Sequence, residues 1–212
     1  MKVRFGINEL ELGTELQELC DSSDILGDAP ALHRRMAEHG YLFFRGLIDR
    51  NKVEATRKHI IDFMNEQEML VPGEPVLEGV MPQDGKTVSM LGRKGVTHDP
   101  EVLQTLEAQE LNDFFDAYFG EPAMTFDYKW LRAVGNESYT GAHYDVVYMG
   151  RGSERLHTTW LPLGDIPLEQ STLAICEGSH NLDSFQKLRD TYGRVDVDRD
   201  LIREGWFSND PI

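Results

Sequence analysis

Basic residues and cysteines are both scarce in this sequence. Its 212 residues include 21 Lys and Arg against 37 Asp and Glu, so the formal net charge is −16. Such a charge repels nucleic-acid phosphates and anionic lipid head groups, so neither is expected as a partner. The two cysteines, Cys20 and Cys176, have no CxxC or Cys/His spacing around them, which argues against a disulfide framework or a zinc knuckle.

Long apolar runs are missing as well. No segment approaches the ~20 apolar residues that a transmembrane helix requires. The first thirteen residues lack the apolar centre of a signal peptide. A cytoplasmic protein with no membrane contact is therefore expected, and 40% hydrophobic residues suffice for the core of one globular domain. The oligomeric state cannot be read from these patterns.

Helical patterns dominate residues 1–122. Apolar residues at three- and four-residue spacing predict helices over 13–24, 29–40, 49–67 and 99–120. The last of these has the strongest pattern, with Asp99 at the N-cap, Pro100 at the first helical position and Gly120 at the far end. A short apolar run at 41–48 predicts a buried strand. Residues 67–98 hold many Gly and Pro residues and predict an irregular loop of the kind that often forms a lid or binding loop.

Strand patterns take over at residues 123–180. Aromatic and branched residues alternate with polar ones in "PAMTFDYKWLRAV", "GAHYDVVYM", "RLHTTWLPLG" and "STLAICEG". Residues 181–212 return to a helical, charged pattern. About five strands are visible, which is too few to close an eight-stranded jelly roll.

One triplet in the strand region suggests metal chemistry. His143 and Asp145 stand two residues apart, so on a strand their side chains would point to the same face. A chain with 7 His and 18 Asp among 212 residues contains about 0.6 such triplets by chance, so the spacing alone proves nothing. If "GRGSE" forms a hairpin turn, Asp145 lies opposite Thr158 and His143 opposite Trp160. A register slip of one residue would replace these neighbours.

The triplet allows three interpretations. The first is a structural hydrogen bond between the two side chains. The second is a zinc site completed by His157 or His180, with metal-bound water as nucleophile. The third is a facial triad, in which two His and one carboxylate bind Fe(II) and leave other positions open for cosubstrate and O2.

The surroundings of the triplet resemble those of a known family. "MAEHGYLFFRGLID", "GAHYDVVYMG" and "TTWLPLGDIPLEQSTLAICEGSH" are similar to segments of the phytanoyl-CoA dioxygenase family of Fe(II)- and 2-oxoglutarate-dependent oxygenases. The likeness runs from about residue 30 to 181 and is most specific from 124 to 180. Two departures concern turns: Glu177 replaces the usual Pro before G-S-H, and "EQST" replaces an Asn-Gly turn.

The resemblance implies a fold and a mechanism. The fold would be mainly β with N-terminal and flanking helices: a single domain over 1–212, built as a cupin-like jelly roll or double-stranded β-helix that is incomplete in this chain. The chemistry would be hydroxylation of a small organic substrate through a ferryl intermediate, with Fe(II), 2-oxoglutarate and O2.

The resemblance also assigns residues. His143 and Asp145 match two iron ligands, and a carboxylate at position 145 favours hydroxylation over halogenation. His180 matches a structural residue. Thr158, Trp160, Trp130 and Arg93, with Lys94 beside it, are candidates for binding the cosubstrate.

Two family residues have no match in this chain. They are a distal iron-binding His and an Arg that binds the distal carboxylate of 2-oxoglutarate. Both are expected after Ile212, together with the closing strands, so the sequence is expected to be truncated. The alternative is a non-catalytic jelly-roll relative with half a metal site, which binds a small molecule or a partner.

Overall fold

The computed structural model describes residues 1–5, 8–83, 88–90, 94–135, 143–145, 153–170, 172–186 and 190. The helices in this part are α1 Ala29–His39, α2 Arg50–Glu66, α3 Lys94–Thr97, α4 Pro100–Leu106 and α5 Gln109–Phe119. Two antiparallel pairs of strands join β1 Lys2–Phe5 to β2 Asn8–Glu11 and β3 Val88–Ser89 to β4 Arg132–Ala133. Single 3-10 turns lie at Ser23–Ile25, Val76–Glu78, Leu168–Gln170, Ser179–Asn181 and Asp183–Phe185.

Aspartate side chains fix the starts of three helices. The Asp28 carboxylate accepts a hydrogen bond from the backbone N–H of Ala31 at the start of α1. Asp49 does the same for α2, and Asp99 for α4. Each carboxylate satisfies N–H groups that have no partner within the helix. The predicted starts of α2 and α4 are therefore confirmed.

The core forms where α2 packs on α4. Buried apolar side chains of α2 meet those of the irregular segment, α4 and the stretch before β4, namely Ile60, Ile61, Met64, Leu70, Met90, Val96, Val102 and Leu131. Thr56 of α2 lies at the same interface between α2 and α4. Its fully buried hydroxyl donates to the Glu101 carbonyl at 2.6 Å and therefore accepts from the Thr105 hydroxyl at 2.9 Å. The two hydroxyls satisfy each other where water cannot reach them.

The prediction of a mainly β fold is wrong. Across the described residues helices prevail, and the strands form two small two-stranded sheets. In the predicted strand region 123–180, the described part contains a single strand, Arg132–Ala133. Alternation in sequence decides which side chains share a face, but a strand also needs a neighbouring backbone to bond with. For residues 124–131, 153–162 and 172–176 no such ladder is present, so the described residues form no jelly roll.

Three local predictions also fail. Residues 13–24 form turns instead of a helix, because the Asp21 carboxylate accepts hydrogen bonds from the backbone N–H and the hydroxyl of Ser23 and stabilises a turn. The apolar run 41–48 contributes only an isolated bridge, between Phe43 and Asp21. The helix predicted over 99–120 is interrupted near Ala108, which is extended and buried between α4 and α5. The division of one domain at residues 122 and 180 stays a prediction.

Within the described residues, none of the helices combines the length and the apolar character that crossing a bilayer demands.

Candidate functional site

His143 and Asp145 face each other. The imidazole Nε2 lies 3.2 Å from a carboxylate oxygen of Asp145, and the two side chains are 27% and 37% exposed. An imidazole nitrogen and a carboxylate oxygen are both common ligands of divalent transition metals. Partial exposure leaves these atoms accessible to an ion from solvent. The predicted pair is therefore brought together in a hydrogen-bonded contact, as in the first of the three interpretations of the triplet.

The surroundings of Asp145 favour its charged form. The pKa of its carboxyl is lowered first by the hydrogen bond from His143. Burial acts in the opposite direction, while a hydrogen bond from the Thr158 hydroxyl and the nearby charge of Arg132 lower the pKa further. A carboxylate that stays ionised near neutral pH can bind a cation without first losing a proton.

Tyr144 anchors this segment in another direction. Its hydroxyl donates to the Ser179 carbonyl at 2.9 Å, and its ring lies 5.4 Å from that of Phe185. Because Tyr144 stands between the two candidate ligands, its attachment helps to fix both of them. The site is thus tied to the G-S-H turn at residues 178–180.

Hydrogen bonds attach the G-S-H turn to the end of α1. The backbone N–H of Gly178 donates to the His39 carbonyl, and the side chain of His180 donates to the Ala37 carbonyl at 3.0 Å. A hydrogen bond between the His39 imidazole and the Glu177 carboxylate also joins the two. These contacts satisfy carbonyls that the last turn of a helix leaves open. His180 therefore has the structural contacts expected from the family resemblance.

The segment that carries Thr158 is held by α5. Arg155 donates to the Phe119 carbonyl at 2.7 Å, pairs with Glu121 and stacks its guanidinium 4.8 Å from the centre of the Phe119 ring. His157 lies against the same helix, with ring centres 5.3 Å from those of Tyr118 and Phe119. Adjacent residues thus point in opposite directions, His157 towards α5 and Thr158 towards Asp145.

The third side of the site is the stretch that leads into β4. Arg132, whose charge acts on Asp145, stacks 4.6 Å from the centre of the Trp130 ring. Lys129 beside them is buried and pairs with Glu107 at 2.6 Å, which attaches this stretch to the helices. The sequence analysis did not name Arg132 as a site residue. Arg132 follows Trp130 by two positions, so the two side chains would share one face of an extended chain, and this spacing could have indicated Arg132.

The other residues predicted for the site differ in how they are connected to the His143–Asp145 pair. Thr158 contacts Asp145 directly, and Trp130 is connected to it through Arg132. Trp160 lies two residues beyond Thr158 and is about half exposed. Arg93 is outside the described residues. The assignment of these residues to a cosubstrate pocket stays a prediction.

The donor set fits a divalent metal in part. The imidazole nitrogen of His143 and the carboxylate of Asp145 are of the atom types that two of the three protein ligands of a facial triad have. In the part of the chain that the structure covers, no group of three or more His, Cys, Asp or Glu side chains could hold a metal ion. His157 and His180, the third ligands considered for zinc, make their observed contacts with α5 and α1.

Comparisons with known proteins give distant relatives. The chain is 26% identical over 178 residues to a protein of Streptomyces arenae named 1-deoxypentalenic acid 11-beta-hydroxylase, a match that covers 77% of this chain and 58% of that protein. A protein of the same name from Streptomyces exfoliatus is 24% identical over 192 residues, with 78% and 59% covered. The chain thus spans less than two thirds of the length of these relatives. No family model matches, and no solved structure does.

Proposed function

We propose that this chain carries part of the active site of an Fe(II)- and 2-oxoglutarate-dependent oxygenase that hydroxylates a small organic molecule. The main support is the His143–Asp145 pair, in which an imidazole nitrogen and an ionised carboxylate face each other at 3.2 Å. The second support is the distant similarity to proteins named as hydroxylases. The two residues are also the ones that match iron ligands in the family that the sequence resembles.

Each residue of the site has a separate task in this proposal. His143 and Asp145 would hold the iron, and the Thr158 hydroxyl would fix the carboxylate of Asp145 in one orientation. Iron with 2-oxoglutarate and O2 would supply the oxidising power for hydroxylating a C–H bond. We also propose that Thr158 and Trp160 line the binding site of 2-oxoglutarate, because both residues lie on the segment that contacts Asp145.

The first test is binding of iron and cosubstrate. The full-length gene product is titrated with Fe(II) and 2-oxoglutarate without oxygen, and the weak visible charge-transfer band is followed. We expect the band in the wild-type protein and its loss in His143→Ala, because that substitution removes one of the iron ligands.

A matched control is available in α2. His59 also faces an aspartate, with 3.4 Å between its Nε2 and the Asp99 carboxylate and similar exposure. The His59→Ala variant should keep the band. Absence of the band in the wild-type protein, with iron in excess, would refute the oxygenase proposal. A non-catalytic relative that binds small molecules would then be the better description, in keeping with the absence of a three-ligand metal group among the described residues.

A further inference from the structure

Glu177 stands at the start of the G-S-H turn, where the family that the sequence resembles has a proline. The Ser179 N–H donates to the Cys176 carbonyl at 3.1 Å, which closes a four-residue turn with Glu177 in its second position. Gly178 in the third position has a φ of +74° and a ψ of −5°, as in a type II turn. Proline is common in the second position of such turns because its ring presets φ. Glutamate does not restrict that angle, so the turn needs another contact to hold it.

That contact is a hydrogen bond to the end of α1. The imidazole Nδ1–H of His39 donates to the Glu177 carboxylate, which can only accept. His39 is the last residue of α1, and its carbonyl accepts from the Gly178 N–H at 3.2 Å. The His39 ring lies edge-on to the ring of Tyr41, 5.7 Å between centres, and the side chain is 19% exposed. The Glu177 carboxylate is therefore bound to an imidazole that its neighbours hold in place.

The last residue of the same turn connects to the candidate ligands. The Ser179 carbonyl accepts from the Tyr144 hydroxyl at 2.9 Å. Tyr144 lies between His143 and Asp145 in the sequence, so its position affects both. A change in the backbone angles of the turn displaces the Ser179 carbonyl and with it the acceptor of the Tyr144 hydroxyl.

We propose that Glu177 is a positioning residue for the His143–Asp145 pair. Its hydrogen bond to His39 fixes the turn, and the turn orients the pair through the hydroxyl of Tyr144. A tertiary contact thus performs in this chain what proline performs by restricting the backbone. The inference rests on the proposed function where it concerns iron, while the orientation of Tyr144 can be measured without any metal.

The affinity for metal tests each link. The full-length gene product is titrated with Fe(II) alone, without oxygen. Glu177→Ala and His39→Ala should each weaken Fe(II) binding about fivefold, as residues that act on a site through intermediates do. Glu177→Gln should keep the wild-type affinity, because its amide oxygen still accepts from the imidazole. The control His59→Ala, which removes the similar contact with Asp99, should leave the affinity unchanged.

Two double variants distinguish positioning from a general loss of stability. In a Tyr144→Phe background, Glu177→Ala should weaken binding no further, because the link through which it acts is already broken. In a Glu177→Pro background, His39→Ala should have no effect, since the proline ring restricts the turn without the imidazole. Fully additive losses in the first pair, an undiminished loss in the second, or wild-type affinity of Glu177→Ala would overturn the inference.

A measurement on the metal-free protein separates this inference from the proposed function. The carbon NMR signal of the Tyr144 phenol reports its hydrogen bond to Ser179. The signal should move towards that of an exposed tyrosine in Glu177→Ala and stay in place in Glu177→Gln. If it does so while the wild-type protein binds no Fe(II), the positioning role stands and the oxygenase proposal fails. If Fe(II) binds but the signal stays in place in Glu177→Ala, the positioning role fails and the oxygenase proposal stands.

Discussion

Single side chains decide how the candidate ligands are oriented. Asp145 is bonded on one side by His143 and on another by Thr158, while Arg132 contributes charge from β4. A carboxylate with two bonded neighbours has a restricted orientation before any ion arrives. The proposed binding of a metal ion would therefore require little further ordering of this side chain.

The Thr158 hydroxyl can be tested by conservative replacement. In Thr158→Val the shape is kept and the hydrogen bond to Asp145 is lost, so we expect about a tenfold loss of Fe(II) affinity. Thr158→Ser keeps a hydroxyl and should restore most of the affinity. Anaerobic titration of the metal measures both variants. Equal affinities for Val and Ser at this position would show that the hydroxyl does not orient the carboxylate.

A second titratable contact lies between α2 and α5. Lys52 donates to both carboxylate oxygens of Glu110, at 2.7 and 2.9 Å, and this hydrogen bonding is the largest cause of a lowered Glu110 pKa. In Lys52→Met we expect the Glu110 pKa to rise towards its ordinary value of 4.5. Carboxyl NMR titration measures the shift, and an unchanged midpoint would contradict the assignment.

The sign of the effect on stability follows from the direction of the shift. A lowered pKa in the folded state stabilises the fold above the unfolded pKa, near 4.5. That contribution disappears as the pH falls through the folded pKa. Urea unfolding should therefore show the stability difference between wild type and Lys52→Met at pH 7, and a smaller difference at pH 3.

At the scale of elements, the site depends on how the G-S-H turn meets α1. Gly40 ends α1 with a φ of +82°, and a Cβ there would lie 2.5 Å from Nδ1 of His180. The position thus requires glycine for two reasons, backbone conformation and close approach. The contact between helix and turn is part of the chain of contacts that reaches Tyr144 and the His143–Asp145 pair.

Substitution of Gly40 separates the two reasons when it is compared with Gly120. Gly120 also ends a helix, with φ +70°, but a Cβ there would meet no atom within 4 Å. Gly120→Ala should cost about 1 kcal/mol of backbone strain, and Gly40→Ala about 1–3 kcal/mol with the added clash. Gly40→Ala should also weaken Fe(II) binding. Urea unfolding and metal titration measure the two effects, and equal behaviour of both variants would contradict the role of the contact.

The sequence was informative about helices and less so about strands. Helix starts at Asp49 and Asp99 were predictable because capping is a local interaction between a side chain and N–H groups two or three residues away. The break at Ala108 was not, because the apolar stripe continues through it while the backbone turns. The jelly roll failed for a similar reason, since strand pairing depends on neighbours that the alternation itself does not specify.

For the site, the sequence predicted the pair and placed Thr158 next to Asp145, but it did not predict the other supports. His143 and Asp145 are neighbours along the chain, so their proximity is a short-range property. The other supports are contacts between separate segments of the chain. Arg132 acts on Asp145, and Arg155 attaches the segment of Thr158 to Phe119 of α5. Such contacts follow from the tertiary packing of separate segments, which the spacing of residues along the chain does not reveal. The assignments of Trp160 and Arg93 stay predictions.

For the whole molecule, the dominant property is net negative charge. A formal charge of −16 means that like charges repel throughout the folded chain. Ion pairs such as Lys2–Glu9 are exposed and offset little of this. Repulsion of this kind acts against the compact state and is weakened by salt.

Salt should accordingly stabilise the fold. Raising NaCl from about 0.02 to 0.5 M shortens the screening length to a few ångströms, so we expect the melting temperature to rise by several degrees. Differential scanning calorimetry measures it, with glucose at equal osmolarity as the uncharged control. A fall in melting temperature would show that attractive ion pairs outweigh the repulsion.

The joining of α1 to the G-S-H turn has a consequence for the order of events during synthesis. The hydrogen bond from His180 to Ala37 links residues 143 positions apart. On the ribosome, α1 emerges long before its partner, and closing so long a loop is entropically costly. The carbonyls at the end of α1 stay hydrated until residue 180 has left the exit tunnel. The His143–Asp145 pair, attached to that turn through Tyr144, is therefore one of the last parts of the described structure to be assembled.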